Sequence, residues 1–374
     1  MPSPDPIPDR APDLRVGIVG CGAISRNHLE AFSAAPGAEV TVVCDIDPDR
    51  ARQTAEQYGI AHAVGTVDEL LSTGVDIISV CTPHPTHEDV VLAAAAAGVH
   101  ILCEKPIAVD LASARRMTSA CHAAGVRLGV LFQRRFWPAA QEMKADLVAD
   151  RLGEPVLGQC TVLLHRDPTY YSATPWRGTW DSDGGGVLMT QAIHYIDLLI
   201  WMLGDPVEVS GKIATFTHDI EVEDTAVATV TFASGALATI NATTAADTAL
   251  GARVQVTASS GATRAILEYP EGTDGRAVLR AENGSVSTTP DYPDNLVANA
   301  DLRTINGALI PHHTAQVADF VAAVRNGCEP AVTGHDATRS LAVLLAVYES
   351  SRTGVPVQLT TDRVVSGGVE EVTS

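Results

Sequence analysis

A chain of 374 residues is longer than the ~250–300 residues that one hydrophobic core supports, so two domains are expected. Its 25 Lys and Arg against 45 Asp and Glu leave a formal charge of −20. No basic face can then track the phosphates of a nucleic acid or bind an anionic membrane surface, and the acidity reads as solubility.

Apolar residues make up 46% of the chain, ample for two cores. No apolar run is expected to approach the ~20 residues of a membrane span. The seven cysteines are scattered without C-x-x-C or zinc spacing and read as small core residues in a reducing compartment. Residues 1–13, rich in Pro and Asp and without an apolar signal region, are expected to be a disordered tail on a cytoplasmic protein.

The first strand, 14–19, is short, apolar and β-branched, as a buried parallel strand should be. It runs into Gly20-Cys21-Gly22-Ala23-Ile24-Ser25 and a helix that continues past Phe32; a second strand, 40–44, ends on Asp45. Gly20 permits a tight turn, Gly22 lets backbone approach a pyrophosphate, and the helix start offers free N–H groups to phosphate. Asp45, 23 residues past Gly22, is placed to accept hydrogen bonds from a ribose. The third glycine of the fingerprint is Ser25, so its context of strand, helix and second strand carries the assignment. Asp45, Asp47 and Asp49 would repel a 2′-phosphate, which favours NAD(H) over NADP(H), with Arg50 and Arg52 expected to stay in solvent.

Helices at 48–57, 67–71, 88–97 and 111–124 alternate with strands at 61–64, 76–81, 99–103 and 127–132. That alternation predicts a doubly wound parallel sheet over 14–133. Ligands bind beyond the carboxyl ends of such strands. Thr82-Pro83-His84-Pro85-Thr86-His87 and Glu104-Lys105-Pro106 both lie there. The cofactor candidates are therefore Gly20, Gly22, Ala23, Ile24, Asp45, Thr82, Pro83, His87, Glu104 and Lys105.

Over 134–360 the pattern changes to an α+β domain with a mostly antiparallel sheet. A helix at 139–149 precedes strands at 156–164, 207–217, 225–232 and 236–244, the last two joined at Ser234-Gly235. Short strands follow through 253–279, and helices at 313–325 and 336–353 precede a flexible tail, 361–374. A strongly apolar helix, 187–203, is introduced by Asp183-Gly184-Gly185-Gly186, read equally as a close backbone approach to ligand or as a flexible loop.

Lys105 sits at a strand mouth facing the nicotinamide end of any cofactor, where an ammonium can stabilise a developing alkoxide. His194 is flanked on its helix by Thr190, Gln191 and Asp197, a polar stripe on an apolar helix, and is the best candidate for general base. Arg134, beside Gln133 and Arg135, is a substrate candidate whose bland alternative is a solvated pair with Arg135. Tyr170, Tyr171, Trp176 and Arg177 form a loop unusually aromatic for a chain with 5% aromatics, suited to a sugar ring, though interface packing explains it as well. The substrate candidates are thus Lys105, Arg134, Tyr171, Trp176, Arg177, Thr190, Gln191 and His194. No residue cluster has metal spacing, and no metal is expected.

Together these motifs, with Val332-Thr333-Gly334 near the end, resemble the Gfo/Idh/MocA oxidoreductases over nearly the whole chain after the tail. The resemblance implies a large open sheet in the second domain that mediates homodimers or homotetramers. It also implies Lys105 and His194 as the catalytic pair, and it points with the local geometry to a cis Lys105–Pro106 bond. Inositol dehydrogenase-like members carry an aspartate four residues before the histidine, where this chain has Thr190. The segments Met189-Thr190-Gln191 and Trp176-Arg177-Gly178 look more like the branch that oxidises pyranosides or nucleotide-sugar uronates at C3. The expected activity is an NAD-dependent dehydrogenase of a sugar or sugar-derivative hydroxyl. Its rivals are an NAD-retaining glycosidase acting through transient oxidation, an inositol dehydrogenase and a non-catalytic NAD(H)-binding regulator.

Overall fold

A computed structural model describes residues 13–172, 177–290 and 302–360. The tails expected at 1–13 (save its last residue) and 361–374, and Trp176, lie outside the described residues.

Six parallel strands form the first sheet: β1 (Leu14–Val19), β2 (Ala38–Cys44), β3 (His62–Val64), β4 (Ile77–Val80), β5 (His100–Cys103) and β6 (Leu128–Val130). Their order is β3-β2-β1-β4-β5-β6, so the direction of winding reverses between β1 and β4, where such sheets bind ligands. The connecting helices are α1 (Ser25–Ala34), α2 (Pro48–Tyr58), α3 (Val67–Ser72), α4 (His87–Ala96) and α5 (Leu111–Ala124). Local chemistry sets their ends. Asp47 caps α2 with Pro48 in its first turn, a Thr66/Glu69 capping box opens α3, and Asp110 caps α5.

The second half begins with α6 (Pro138–Val148), β7 (Pro155–Leu163), α7 (Pro168–Ser172) and α8 (Trp180–Asp183). A π-helical turn, Leu188–Ala192, then continues as α9 (Ile193–Leu203). Next come β8 (Pro206–Ala214), β9 (Thr225–Phe232), β10 (Leu237–Thr243), β11 (Gly251–Ala258), β12 (Thr263–Glu268), β13 (Arg276–Glu282) and β14 (Ser285–Thr288). The chain closes with α10 (Leu302–Ala308), α11 (Ile310–Asn326), α12 (Gly334–Thr353) and β15 (Val357–Gln358). The nine strands order as β14-β13-β12-β11-β7-β10-β9-β8-β15, antiparallel except for the β7–β10 pair. β14 was not anticipated because all four of its residues are exposed and show no apolar alternation.

Helix α9 is buried on nearly every side, between β7 and β11 of the sheet and α12. The run Trp180–Leu203 is long and apolar enough to cross a membrane, contrary to the expectation of no such length, but 89% of its apolar window is buried inside the protein. It is a core helix. The opposite sheet face leaves Val227 and Leu237 half exposed. Helix α11 packs back on the first half, where Val317, Phe320 and Val321 share a core with Val16, Ile18, Leu29 and Phe32. Six cysteines are buried, Cys328 is exposed, and all seven are free thiols. The Lys105–Pro106 bond is cis, as expected.

Candidate active site

The turn after β1 is built for close backbone approach. Gly20 has φ +93°, and a Cβ there would lie 2.8 Å from the Cys81 carbonyl oxygen at the end of β4. A Cβ at Gly22 would meet no atom within 4 Å, so this side of the turn opens outward, and Gly22 and Ala23 are exposed. Ser25 stands in for the third glycine and donates its hydroxyl to the Gly22 carbonyl, 2.7 Å. No side chain caps the start of α1, beginning after Ile24; the N–H groups of Ser25 and Asn27 turn back to the carbonyls of Gly22 (3.2 Å) and Ile24 (2.9 Å), and the positive end of the helix faces the open turn. The buried Asp45 carboxylate accepts from the N–H of Cys21 (2.8 Å) and of Asp47 (2.9 Å).

Arg50 corrects the expectation that it stays in solvent: its guanidinium reaches Asp45 at 3.3 Å and Asp47 at 3.4 Å while remaining half exposed. Crowded carboxylates at the start of α2 draw it back along its own helix. Arg52 pairs with Asp49 but stays in solvent, as expected.

Beyond β4 and β5, His87 is fully buried, its ring nitrogens facing the carbonyls of Pro106 (3.0 Å) and Thr82 (2.9 Å). It ties the two loops together rather than facing the cleft. Glu104 is buried: one oxygen meets His28 Nε2 at 2.9 Å and the other accepts from the Lys105 N–H at 3.0 Å. Despite burial, the hydrogen bond and charge of His28 and the charges of His313 and Lys105 hold its carboxyl down to about 2. Lys105 Nζ donates to the Thr190 carbonyl oxygen at 3.0 Å. Burial pulls its ammonium below the usual range, against the raising influence of Glu104.

That carbonyl lies in the π-helical turn, where the wider winding loosens the backbone ladder. The glycines before it are packed against protein, which answers the open question of ligand approach or loose loop with neither. A Cβ on Gly186 would lie 1.7 Å from the Glu223 carbonyl oxygen. The Glu223 carboxylate accepts from the N–H groups of Gly186 (2.8 Å) and Leu188 (2.9 Å), and burial lifts its carboxyl to about 7.

His194, one turn on, is buried, its Nδ1 has no hydrogen-bond partner, and its ring stands edge-on to Phe132. Burial, with the charges of Arg134 and Lys105, holds its pKa well below the usual imidazole range, so the ring is neutral. Lys105, from the first half of the chain, therefore reaches the helical run of the second half that carries His194, and its charge acts on that ring.

Arg134 and Arg135 are not a solvated pair. Arg134 is locked in a buried ion pair with Glu268 (2.8 Å), shared with the Tyr195 hydroxyl, and its Nη1 alone is unpaired. Arg135 makes two 2.7 Å bonds to Asp197. Gln191 donates to the Tyr170 hydroxyl at 3.0 Å and accepts from Thr190, while the Arg177 guanidinium lies 4.3 Å from the Tyr170 ring centre. Tyr171 turns away, its hydroxyl 3.1 Å from that of Thr244.

Asp183, which the pattern of residues did not single out, is buried; its Oδ1 accepts no hydrogen bond and lies 3.9 Å from His84 Nδ1, and burial lifts it to about 6. Its carbonyl accepts from His84 Nδ1 at 3.2 Å. Its position directly before the three glycines was the only signal. Glu223 and Glu268, far away in sequence, gave none.

An open glycine turn, a helix start without a side-chain cap and an anchored carboxylate at the end of β2 fit a dinucleotide, and Lys105 reaches the helical run that carries the neutral His194. This is a Rossmann-type oxidoreductase. The model of the oxidoreductase family with an NAD-binding Rossmann fold matches residues 14–132, and that of the GFO/IDH/MocA C-terminal domain matches 140–264. The chain belongs to the Gfo/Idh/MocA family and is an NAD-dependent oxidoreductase.

Relatives include 1,5-anhydro-D-fructose reductase of Ensifer adhaerens, 31% identical over 93% of this chain and 99% of that one. D-apiose dehydrogenase of Paraburkholderia graminis is 29% identical over 91% of this chain and 88% of its own. Among solved structures, the WlbA dehydrogenase from Bordetella pertussis in complex with NADH and UDP-GlcNAcA superimposes with a TM-score of 0.79 at 30% identity, covering 94% of this chain and all (100%) of that one.

Proposed function

We propose that the protein oxidises a secondary hydroxyl of a sugar or sugar derivative, a pyranoside or nucleotide sugar, with C3 as the favoured carbon. What supports this is the meeting of a partnerless, neutral His194 with Lys105, whose ammonium rests on the Thr190 carbonyl four residues earlier on the same helical run. Bound at the β1–α1 turn, NAD supplies the hydride acceptor. His194 takes the hydroxyl proton on a ring nitrogen, which its neutral state leaves free to accept. Lys105 Nζ donates to the same oxygen as charge develops there, exchanging the Thr190 carbonyl for substrate. Tyr170, Arg177, Thr190 and Gln191 line the sugar side, offering an aromatic face and polar groups; of the predicted pair of tyrosines, Tyr170 is the one joined to Gln191. The names of the relatives, which act on sugars, point the same way. The exposed sheet face carrying Val227 and Leu237 is the surface on which two copies would pair as a homo-oligomer.

The test is a screen of free sugars, glycosides, inositols and nucleotide sugars, following NADH absorbance and released sugar together. Stoichiometric NADH with a pyranoside or nucleotide sugar is expected. Sugar release without net NADH, or turnover of inositols alone, would replace this reading.

A further inference from the structure

Beneath Lys105 lies a polar cluster that hydride transfer itself does not require. Ser79 on β4, His28 on α1, Glu104 after β5 and His313 on α11 are all buried. His28 Nδ1 is 2.7 Å from the Ser79 hydroxyl, its Nε2 is 2.9 Å from Glu104 Oε1, and Glu104 Oε2 accepts from the Lys105 backbone N–H. Direction follows from the groups. A carboxylate only accepts, so His28 Nε2 carries the proton, and in the neutral ring Nδ1 accepts from Ser79. His313 is arranged the other way. Its Nδ1–H donates to the Leu309 carbonyl at 3.0 Å, so a bare lone pair on Nε2 faces Glu104 Oε1 at 3.9 Å and donates nothing. His28 is therefore the side-chain donor that fixes this carboxylate, and Glu104 grips the backbone of Lys105 rather than its ammonium. The ammonium itself extends away from Glu104 to the Thr190 carbonyl.

We propose that Ser79, His28 and Glu104 form a positioning relay for Lys105: His28 orients and charges the Glu104 carboxylate, which fixes the lysine backbone and supplies the counter-charge that keeps its ammonium protonated in a buried site. The relay spans β4, α1 and β5, so the helix that opens the cofactor turn and the lysine are held by one bond chain. The importance of the relay for turnover rests on the role proposed above for Lys105; its effect on the amine does not.

The charged and titratable groups facing Lys105 are Glu104, Arg134, Asp183, Arg177, His84 and His194. Those facing Glu104 are His28, His313 and Lys105, with His84 and His87 and the thiols of Cys81 and Cys103 near it. The experiment is competitive labelling of the NAD⁺-bound protein with acetic anhydride across pH, reading acetylation of Lys105 by mass spectrometry, since only the unprotonated amine reacts. H28L should move the labelling midpoint to lower pH, and H28Q, whose amide N–H replaces Nε2–H, should restore it. S79A should move it less than H28L. On a sugar active in the screen, H28L should lower kcat about 10–100-fold, as for a lost hydrogen bond to a charged group, with the NAD⁺ dissociation constant unchanged. If H28L does not fold, E104Q carries the same expectation for midpoint and kcat. An unmoved midpoint in H28L or E104Q, or equal loss in H28L and H28Q, overturns the relay. A shifted midpoint with K105A still turning over keeps the relay and sinks the catalytic reading of Lys105 instead.

Discussion

Two helix starts, at α1 and at the π-helical turn, meet the same need for hydrogen-bond acceptors in opposite ways. At α1 no side chain caps the first turn, and Gly22 opens onto empty space. At the π-helical turn the protein supplies the acceptor itself, the Glu223 carboxyl, which takes the N–H groups of Gly186 and Leu188 and packs its backbone where a Cβ on Gly186 would sit. A helix start has N–H groups that need acceptors in both cases. The first is left for a ligand's phosphates; the second is already filled, so glycine there serves packing. Two neighbouring runs of glycine can thus look alike in sequence and do unrelated work.

The largest expected effect lies beyond the filled helix start. His194→Ala should lower kcat by about 10²–10⁴-fold, the range of general acid–base catalysis, while NAD⁺ affinity measured by fluorescence titration stays near native. A near-native kcat would move the base elsewhere.

The glycines themselves come next. Gly186→Ala forces a Cβ against backbone and should cost about 3 kcal/mol or more, or prevent folding. Gly22→Val adds its side chain in open space, so its Tm should stay close to native while NAD⁺ binding weakens severely. Equal thermal losses in the two variants would erase the distinction between the helix starts.

Glu223 gives the third contrast. Its folded carboxyl is raised to about 7 from an ordinary carboxyl value. The neutral form is favoured in the fold, so its contribution is fully present below the unfolded pKa and is lost as pH rises to about 7. The stability of wild type relative to Glu223→Gln should therefore fall, by up to ~3 kcal/mol, between about pH 4.5 and 7. Denaturant unfolding at both pH values measures it, and a pH-independent difference would show that Glu223 stays ionised throughout. His313, lowered to about 4 by burial, acts with the opposite sign, losing stability as pH falls below the ordinary histidine range, so the comparison of variants is needed to separate the two.

The smallest effect belongs to the open end. Asp45→Ala removes the carboxylate that holds the N–H groups of Cys21 and Asp47 and should weaken NAD⁺ binding about 10–100-fold, with kcat at saturating NAD⁺ little changed. Calorimetric titration reads the first quantity and steady-state kinetics the second. A collapse of kcat with unchanged affinity would place Asp45 in the chemistry instead.

By itself the sequence determined the first half almost to the residue. Strands buried on both faces read as short β-branched runs, helix ends carry their own caps, and the cofactor turn is contiguous with the strand and helix that shape it. The places of Lys105, just past β5, and of His194, on α9, were legible because each is defined by its own element. Only the tertiary structure decided what surrounds them. Arg134 pairs with Glu268, Arg135 with Asp197, Glu104 with His28, and Gly186 with Glu223, each partner 37 or more residues away in the chain. The winding of the helix before His194 belongs to the same class. Its apolar pattern reads as continuous α-helix, and the turn that meets Lys105 and Glu223 is a π turn. Periodicity reports which side of an element is buried, whereas pairing buried charges depends on which elements the fold brings together.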